Sequence, residues 1–107
     1  MDIKEAQARV DAWISQFEEG YWPPMNNLAR LMEEVGELAR ELNHLYGSKP
    51  KRPDEPDQEL AIELADVLLV ILVIANEQKI DLDGALIRVL EKYKARDSER
   101  WIRKEEG

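Results

Sequence analysis

A chain of 107 residues is one domain and has room for only a modest hydrophobic core. Its formal net charge of -8 argues against nonspecific binding to nucleic acid or to an anionic membrane, and the lack of cysteine excludes disulfides and thiolate metal sites. Because the N-terminus lacks the apolar segment of a signal peptide and the longest apolar run, residues 67–75, is too short to span a bilayer, we expect a cytoplasmic protein.

Apolar residues recur at three- and four-residue steps along most of the chain, a period that indicates amphipathic helices and no strand. The first such stripe covers residues 3–17, and a glycine and two prolines follow it. The second covers residues 28–45, for which Asn26 or Asn27 is the expected N-cap. We therefore predict a single all-α domain, 1–107, resembling a four-helix bundle.

Residues 46–56 contain three prolines, one glycine and mixed charges, so we expect a mobile loop there. A third helix should begin near Pro56 or Asp57, since proline and acidic residues both suit a first helical turn. Its run at 67–75 is apolar on all sides, which in a short chain predicts a central helix covered by the other helices or by another subunit. Asp81 is placed to be the N-cap of a fourth helix.

Two short acidic clusters are the most informative feature of the chain. Glu34 and Glu37 lie three residues apart in the second helix, and Glu63 and Asp66 lie three residues apart in the third. That spacing puts both side chains of a pair on one helix face, about one turn apart. If the two helices pack side by side, four carboxylates meet at one point. Their repulsion and burial then require a compensating cation or a catalytic use.

For either pair alone, the alternative is an ordinary solvated face with i, i+4 salt bridges. The placement of both pairs argues against it, because the first borders the apolar stripe of its helix and the second directly precedes the apolar run. A di-iron site of the ferritin type would need two Glu-x-x-His pairs, whereas His44 is the only histidine. Ligands that are all oxygen favour Mg²⁺ or Mn²⁺, and such ions are commonly bridged to phosphate oxygens.

The double acidic motif resembles the signature of a known enzyme family. Glu33-Glu34-x-x-Glu37, a gap of 25 residues and then Glu63-x-x-Asp66 is similar to the EExxE and ExxD motifs of the MazG-like, all-α nucleoside triphosphate pyrophosphohydrolases. The resemblance extends from the GYW segment through ANEQKIDL to KYKARDSERW. It implies the all-α nucleotide pyrophosphohydrolase fold and Mg²⁺-dependent cleavage of an NTP or dNTP by water to the monophosphate and pyrophosphate, as a housekeeping activity on the nucleotide pool.

By the same resemblance, four carboxylates are both the catalytic groups and the metal ligands: Glu34, Glu37, Glu63 and Asp66. Glu33 and Glu41 are further candidates beside them, and any carboxylate left free of metal could act as general base. Two alternatives stay open. One is a phosphoribosyl-ATP pyrophosphatase of the same superfamily. The other is a non-catalytic helical module that dimerises or binds a partner through the apolar third helix.

The fourth helix carries a basic ridge that recurs every four residues, formed by Arg88, Lys92, Arg96 and Arg100. A solvated face paired with nearby acidic residues is one interpretation of this ridge. Similar families carry phosphate-binding residues in their last helix, so the resemblance makes Lys92 and Arg96 candidates for binding the substrate. Arg100 is expected to lie too far along to reach the same ligand.

Aromatic residues gather near the end of the first helix, where they could stack on a nucleobase. Trp13 falls on the apolar stripe and is expected in the core, so Trp22 is the candidate for base stacking. Asn76, near the end of the third helix, is by resemblance a candidate for contacting the nucleotide, with C-capping of that helix as the alternative. Tyr93 and Trp101 are expected to pack against other helices.

Association is itself an expectation from the sequence. A chain this short cannot easily surround an all-apolar helix with three amphipathic ones. We therefore expect an obligate or near-obligate homo-oligomer, in which the third helix is buried against its symmetry mate. Members of the family it resembles are usually dimers or dimers of dimers. The expected partners are thus a nucleoside triphosphate and a second copy of the chain, with no nucleic acid and no membrane.

Overall fold

The computed structural model describes residues 1–55 and 59–104. Within these ranges the chain forms four helices and no strand: α1 (Ile3–Ile14), α2 (Pro24–Tyr46), α3 (Leu60–Glu77) and α4 (Leu82–Asp97). The all-α prediction is therefore confirmed. The expected start of the third helix, Pro56 or Asp57, lies outside the described residues. None of the described helices is long and apolar enough to cross a membrane.

The N-terminal helix α1 is shorter than the apolar pattern predicts. It begins after Asp2, whose carboxylate accepts a hydrogen bond from the Glu5 backbone N–H at 2.7 Å. It ends at Ile14, whereas the apolar stripe continues to Phe17. The turn that follows contains Gly20 with a φ of 64°, a left-handed conformation that glycine adopts without strain. The last part of the stripe therefore belongs to a turn between α1 and α2.

The start of α2 differs from the sequence prediction. Its N-cap is Pro23, and not Asn26 or Asn27. Pro24 takes the first helical position, where its missing N–H and fixed φ are well tolerated. Asn27 is buried one turn inside the helix, and its amide donates to the Trp22 backbone carbonyl at 3.2 Å. Its amide therefore fastens the preceding turn to α2.

The hydrophobic core is small and is centred on the second half of α3, a helix that packs against both α1 and α2. Its fully buried apolar residues are Val70, Leu72, Val73 and Ala75. One face of α3, formed at i, i+4 and i+7 by Leu64, Leu68 and Ile71, is between 36% and 53% exposed. The single chain therefore covers only part of its most apolar helix.

Gln7 of α1 fastens the end of α3 to the start of α4. Its Nε2 donates to Asn76 Oδ1 at 3.0 Å and to the Ile80 carbonyl at 2.9 Å. Its Oε1 accepts from the Leu82 N–H at 3.1 Å, and Asn76 Nδ2 donates to the Gln7 carbonyl at 2.9 Å. Asp81 caps α4 as predicted, accepting a backbone N–H of the first turn at 3.3 Å. The packing of α4 against α1 is set at this junction.

His44 fastens the segment after α2 to that helix. Its Nδ1 lies 3.2 Å from the Lys49 carbonyl oxygen, and its Nε2 lies 2.9 Å from the Glu55 carboxylate. Burial opposes ionisation of Glu55, but interactions with His44 and Arg52 outweigh it and lower the pKa of Glu55. His44 thus has a structural use near the helix end. The mobility of residues 46–56 stays a prediction.

Candidate metal centre

The acidic residues of α2 and α3 meet where these two helices pack together. One carboxylate oxygen each of Glu34, Glu37 and Glu63 lies within 4.8 Å of the others. Asp66, one turn beyond Glu63 on α3, is close enough for its charge to act on both Glu34 and Glu63. The three-residue spacing on each helix produces this arrangement, because it gives each helix one acidic face.

Burial within the cluster is graded. Glu63 is only 3% exposed, Glu34 is half-buried and Glu37 is exposed. One carboxylate oxygen of Glu63, Oε2, is buried with no hydrogen-bond partner among the described residues. A buried carboxylate oxygen without a donor is costly, and a cation would satisfy it. The orphaned oxygen therefore fits a site that holds a metal ion.

The cluster also resists ionisation. Burial raises the pKa of Glu63 above its ordinary value, and the neighbouring carboxylates, Glu37 and Asp66 first, raise it further. Burial likewise raises the pKa of Glu34, again helped by Glu37 and Asp66, while Arg30 opposes the rise. A bound cation would therefore stabilise the ionised form of these carboxylates. An all-oxygen site of this kind suits a hard divalent cation.

Glu41 and Glu33 extend the acidic region, as the sequence suggested. Glu41 is 8% exposed, and its charge contributes to the raised pKa of Glu63. Glu33 is exposed and has a smaller effect of the same sign on Glu34. Both therefore adjoin the cluster without belonging to the three carboxylates that converge on one point.

An aromatic cavity of about 220 Å³ opens beside the turn between α1 and α2. Its walls include Trp13, Phe17, Tyr21, Trp22, Asn27 and Arg30. The phenol of Tyr21 donates to Asp11 at 2.6 Å, and burial together with this hydrogen bond raises the Tyr21 pKa to about 12. Tyr21 is therefore a neutral wall at physiological pH. The cavity has the flat apolar surfaces that a nucleobase can stack on.

A second, more open cavity of about 410 Å³ lies beside Glu34 of the acidic cluster. It is lined by Trp22, Arg30, Glu33 and Glu34, together with shorter side chains of the first turns of α2. Trp22 and Arg30 line both cavities. The two cavities therefore adjoin, with aromatic side chains at one end and the acidic cluster at the other.

The aromatic residues differ partly from their expected places. Trp13 is 50% exposed and meets Phe17 edge to face, with ring centroids 6.1 Å apart, so its expected place in the core is wrong. The chain turns back after Ile14, and Trp13 consequently lines the cavity. Trp22 is 41% exposed and accessible for stacking. Tyr93 and Trp101, which were expected to pack against other helices, are 44% and 63% exposed in the single chain.

The cations of α4 do not join the carboxylates in the single chain. The helix packs against α1, and neither Lys92 nor Arg96 is among the charges that act on the pKa of Glu34 or Glu63. Arg96 donates to both carboxylate oxygens of Asp97, at 2.8 and 3.0 Å, and lies over the Tyr93 ring. The sequence predicted the amphipathic pattern of α4, but it did not predict that α4 packs against α1.

Asn76 serves the packing of α1 on α3. Both ends of its side-chain amide bond to Gln7, and the amide is close enough to Tyr21 to oppose the rise of the Tyr21 pKa. It is therefore not the C-cap of α3, which is Gln78. Through Tyr21 it adjoins the wall of the aromatic cavity.

Sequence reasoning missed Arg30, which the structure places at the junction of the two cavities. A signal for it exists in the sequence. Arg30 precedes Glu34 by four residues and Glu37 by seven, so the three share one face of α2. The same face begins with the buried Asn27 and ends with Glu41. A search for polar residues at heptad spacing along α2 would have included Arg30.

Residues 23–101 match the sequence model of the MazG nucleotide pyrophosphohydrolase domain. The match spans well over half of the chain, from the N-cap of α2 to just beyond α4, and includes every residue of the acidic cluster. The chain therefore belongs to the MazG nucleotide pyrophosphohydrolase family, a family of hydrolases.

Particular relatives agree with this assignment. The chain is 51% identical over 105 residues to the uncharacterized protein YpjD of Bacillus subtilis (strain 168), covering 98% of this chain and 95% of that protein. The crystal structure of YPJD from Bacillus subtilis superposes with a TM-score of 0.79 at 48% identity, covering 87% of this chain and 95% of that one. A Bacillus-conserved MazG protein, described as a nucleotide pyrophosphohydrolase, gives a TM-score of 0.78 at 44% identity, covering 94% and 97%.

Proposed function

We propose that this protein is a Mg²⁺-dependent pyrophosphohydrolase of nucleoside or deoxynucleoside triphosphates, releasing pyrophosphate and a monophosphate in the cytoplasm. One observation carries the proposal. Glu63 is buried with an unpartnered oxygen, within 4.8 Å of oxygens of Glu34 and Glu37. Buried acidic groups in this geometry favour a hard divalent ion, and such ions commonly bind phosphate oxygens. Mn²⁺ satisfies the same oxygen ligands and is the alternative metal.

In this proposal the metal is held by Glu34, Glu37, Glu63 and Asp66. When bound, a divalent ion neutralises phosphate charge, orients the attacking water and lowers the pKa of that water. A carboxylate of the cluster that is not used as a ligand accepts the proton of the water.

The two adjoining cavities support a direction for the substrate. The base would stack on Trp22 in the aromatic cavity, and the triphosphate would extend through the open cavity toward Glu34. Asn76, which lies next to Tyr21, a residue of the aromatic cavity wall, is proposed to contact the nucleotide. Lys92 and Arg96 are proposed as further phosphate ligands, which requires the assembled oligomer to bring α4 and the carboxylates together.

Release of pyrophosphate from a panel of NTPs, dNTPs and phosphoribosyl-ATP, with and without Mg²⁺, tests this function. The wild type should turn over at least one nucleoside triphosphate, only with the metal. Glu34→Gln and Asp66→Asn should each lower kcat by about 100-fold or more, because each removes a charged ligand. Turnover that is equal in all three proteins would remove the assignment. A preference for phosphoribosyl-ATP would identify the alternative enzyme of the superfamily.

We also propose a homodimer or a dimer of dimers. Besides the uncovered side of α3, the apolar face of α4 is between 41% and 60% exposed: Leu86, Val89, Leu90 and Tyr93. Large apolar side chains that remain exposed together on a helix are typical of a surface that a partner covers. A second copy of the chain would cover both surfaces in one symmetric contact.

Light scattering at several concentrations measures the assembly directly. We expect a mass that is a multiple of 12.4 kDa, the mass of one chain. Leu68→Glu, on the exposed side of α3, should weaken association by about tenfold or more, because it buries a charge in an apolar contact. Ile102→Glu, at a fully exposed apolar residue beyond α4, is the matched control. A mass of 12.4 kDa at every concentration would refute the dimer.

A further inference from the structure

We propose that Arg30 binds the triphosphate of the substrate between the aromatic cavity and the carboxylate cluster. This inference rests on the proposed function, because it assigns a ligand to a residue of the same site. Arg30 and Trp22 are the two residues that line both cavities. A nucleotide with its base in the first cavity and its reacting phosphates near Glu34 has to pass this side chain.

The charge of Arg30 is suited to that position. Arg30 lines the second cavity together with Glu33 and Glu34, so its positive charge adjoins the acidic cluster. In the part of the chain that the structure describes, Arg30 forms no salt bridge. Its guanidinium is therefore a cation beside an acidic cluster that is not neutralised by one carboxylate.

A cation–π contact with Trp22 positions the guanidinium. The Arg30 Cζ lies 5.8 Å from the centroid of the Trp22 ring, within the range of a cation–π contact. A cation–π contact uses none of the guanidinium N–H groups as hydrogen-bond donors to a carboxylate, so they stay available to bind phosphate oxygens in pairs. Arg30 and Trp22 would then bind two neighbouring parts of one ligand, the phosphates and the base.

Two other roles for Arg30 predict different changes in ligand binding when the side chain is removed. If Arg30 only moderated the acidic cluster, its removal would strengthen Mg²⁺ binding and leave nucleotide binding unchanged or tighter. If Arg30 only supported Trp22, its removal would weaken the binding of a nucleoside and of a nucleoside triphosphate equally. A phosphate ligand affects the triphosphate alone.

The test compares wild type, Arg30→Ala and Arg30→Lys. Arg9→Ala is the matched control, because Arg9 is exposed on α1 and pairs with Glu5 at 3.0 Å, away from both cavities. The ligands are a nucleoside and its α,β-methylene triphosphate, which cannot be cleaved between these phosphates, each measured by calorimetry with Mg²⁺. The KM and kcat of the best substrate in the panel are measured in parallel, and the Mg²⁺-induced change in Tm checks the fold and the metal site.

For Arg30→Ala we expect the analogue Kd and the substrate KM to rise about tenfold or more, as for loss of a hydrogen bond to a charged group. The nucleoside Kd should stay within twofold, the Mg²⁺-induced rise in Tm should persist, and Arg30→Lys should recover part of the loss. Unchanged analogue affinity in a folded Arg30→Ala overturns the proposal, as does an equal loss for nucleoside and triphosphate. Turnover in the wild type with no effect at Arg30 defeats this inference alone. A wild type that neither binds the analogue nor cleaves any triphosphate defeats the proposed function as well.

Discussion

Glu63→Gln should inactivate the enzyme and, at the same time, make the metal-free protein more stable. The substitution keeps the size of the side chain and removes the most buried charge of the cluster. Without that charge a divalent ion loses a ligand, so kcat should fall by about 100-fold or more. The metal-free fold should gain stability because the unpartnered buried carboxylate is gone.

The direction of the pH dependence follows from the raised pKa of Glu63 and of Glu34. A carboxyl group whose pKa is higher in the folded state than in the unfolded state binds its proton more tightly when folded. Its contribution to stability is complete below the unfolded pKa and is lost as the pH rises through the folded pKa. Metal-free wild type should therefore lose Tm between mildly acidic and neutral pH, and Glu63→Gln should lose less.

Glu18→Gln provides the matched control, since Glu18 is exposed in the turn between α1 and α2. It should leave both kcat and Tm close to those of the wild type. Thermal unfolding without metal, followed by circular dichroism, and a pyrophosphate assay with Mg²⁺ give the two readouts. Full activity in Glu63→Gln, or a lower Tm for its metal-free form at neutral pH, would contradict this account of the cluster.

Addition of Mg²⁺ or Mn²⁺ should raise the Tm of the wild type, with a rise that grows as the pH increases from about 5 to 8. Any ligand that binds only the folded state stabilises it by mass action, by about 2.7 kcal/mol at a concentration one hundred times its Kd. For a domain of this size that corresponds to roughly 10 °C or more. Protons compete with the metal for Glu34 and Glu63, whose pKa values are raised, so the effect should shrink at low pH.

Sodium chloride at matched ionic strength separates metal binding from simple screening of the acidic surface. It should raise the Tm only slightly, and Glu63→Gln should lose most of the response to Mg²⁺. A non-catalytic helical module would respond to both salts alike. Equal shifts from the two salts in the wild type would therefore count against a metal centre at this cluster.

The convergence of the carboxylates could be predicted because it depends on helical periodicity alone. Three-residue spacing gives α2 and α3 one acidic face each, and the adjacent apolar residues bring those faces together. The N-cap of α4 could also be predicted from local sequence, since Asp81 directly precedes the apolar stripe of that helix. The acidic faces and the cap each arise within one helix, and only the meeting of the two acidic faces depends on the packing of α2 against α3.

Features that depend on the path of the chain between helices could not be predicted. The stripe of α1 continues through Phe17, but the helix stops at Ile14 and the chain turns back, which places Trp13 in a cavity wall and not in the core. The proline start of α2 replaced the expected asparagine cap and turned Asn27 inward. Both wrong predictions, the end of α1 and the N-cap of α2, concern residues beside the turn that joins these two helices.

The role of the last helix depends on packing that the sequence does not encode locally. A basic ridge was evident in α4, yet Arg96 pairs with Asp97 and the helix lies against α1. Arg30 was overlooked for a related reason. A cation four residues before Glu34 looks like its i, i+4 salt-bridge partner, and only the adjoining cavities indicate another use for Arg30.

Phosphorus NMR of a nucleoside triphosphate incubated with the wild-type protein and Mg²⁺ tests the central claim most directly, because it identifies the bond that is broken. We predict that the three triphosphate signals are replaced by those of inorganic pyrophosphate and the nucleoside monophosphate, and that the spectrum stays unchanged with Glu63→Gln or without metal. Appearance of a diphosphate with orthophosphate, or the same products from Glu63→Gln, would contradict pyrophosphohydrolysis at this carboxylate cluster.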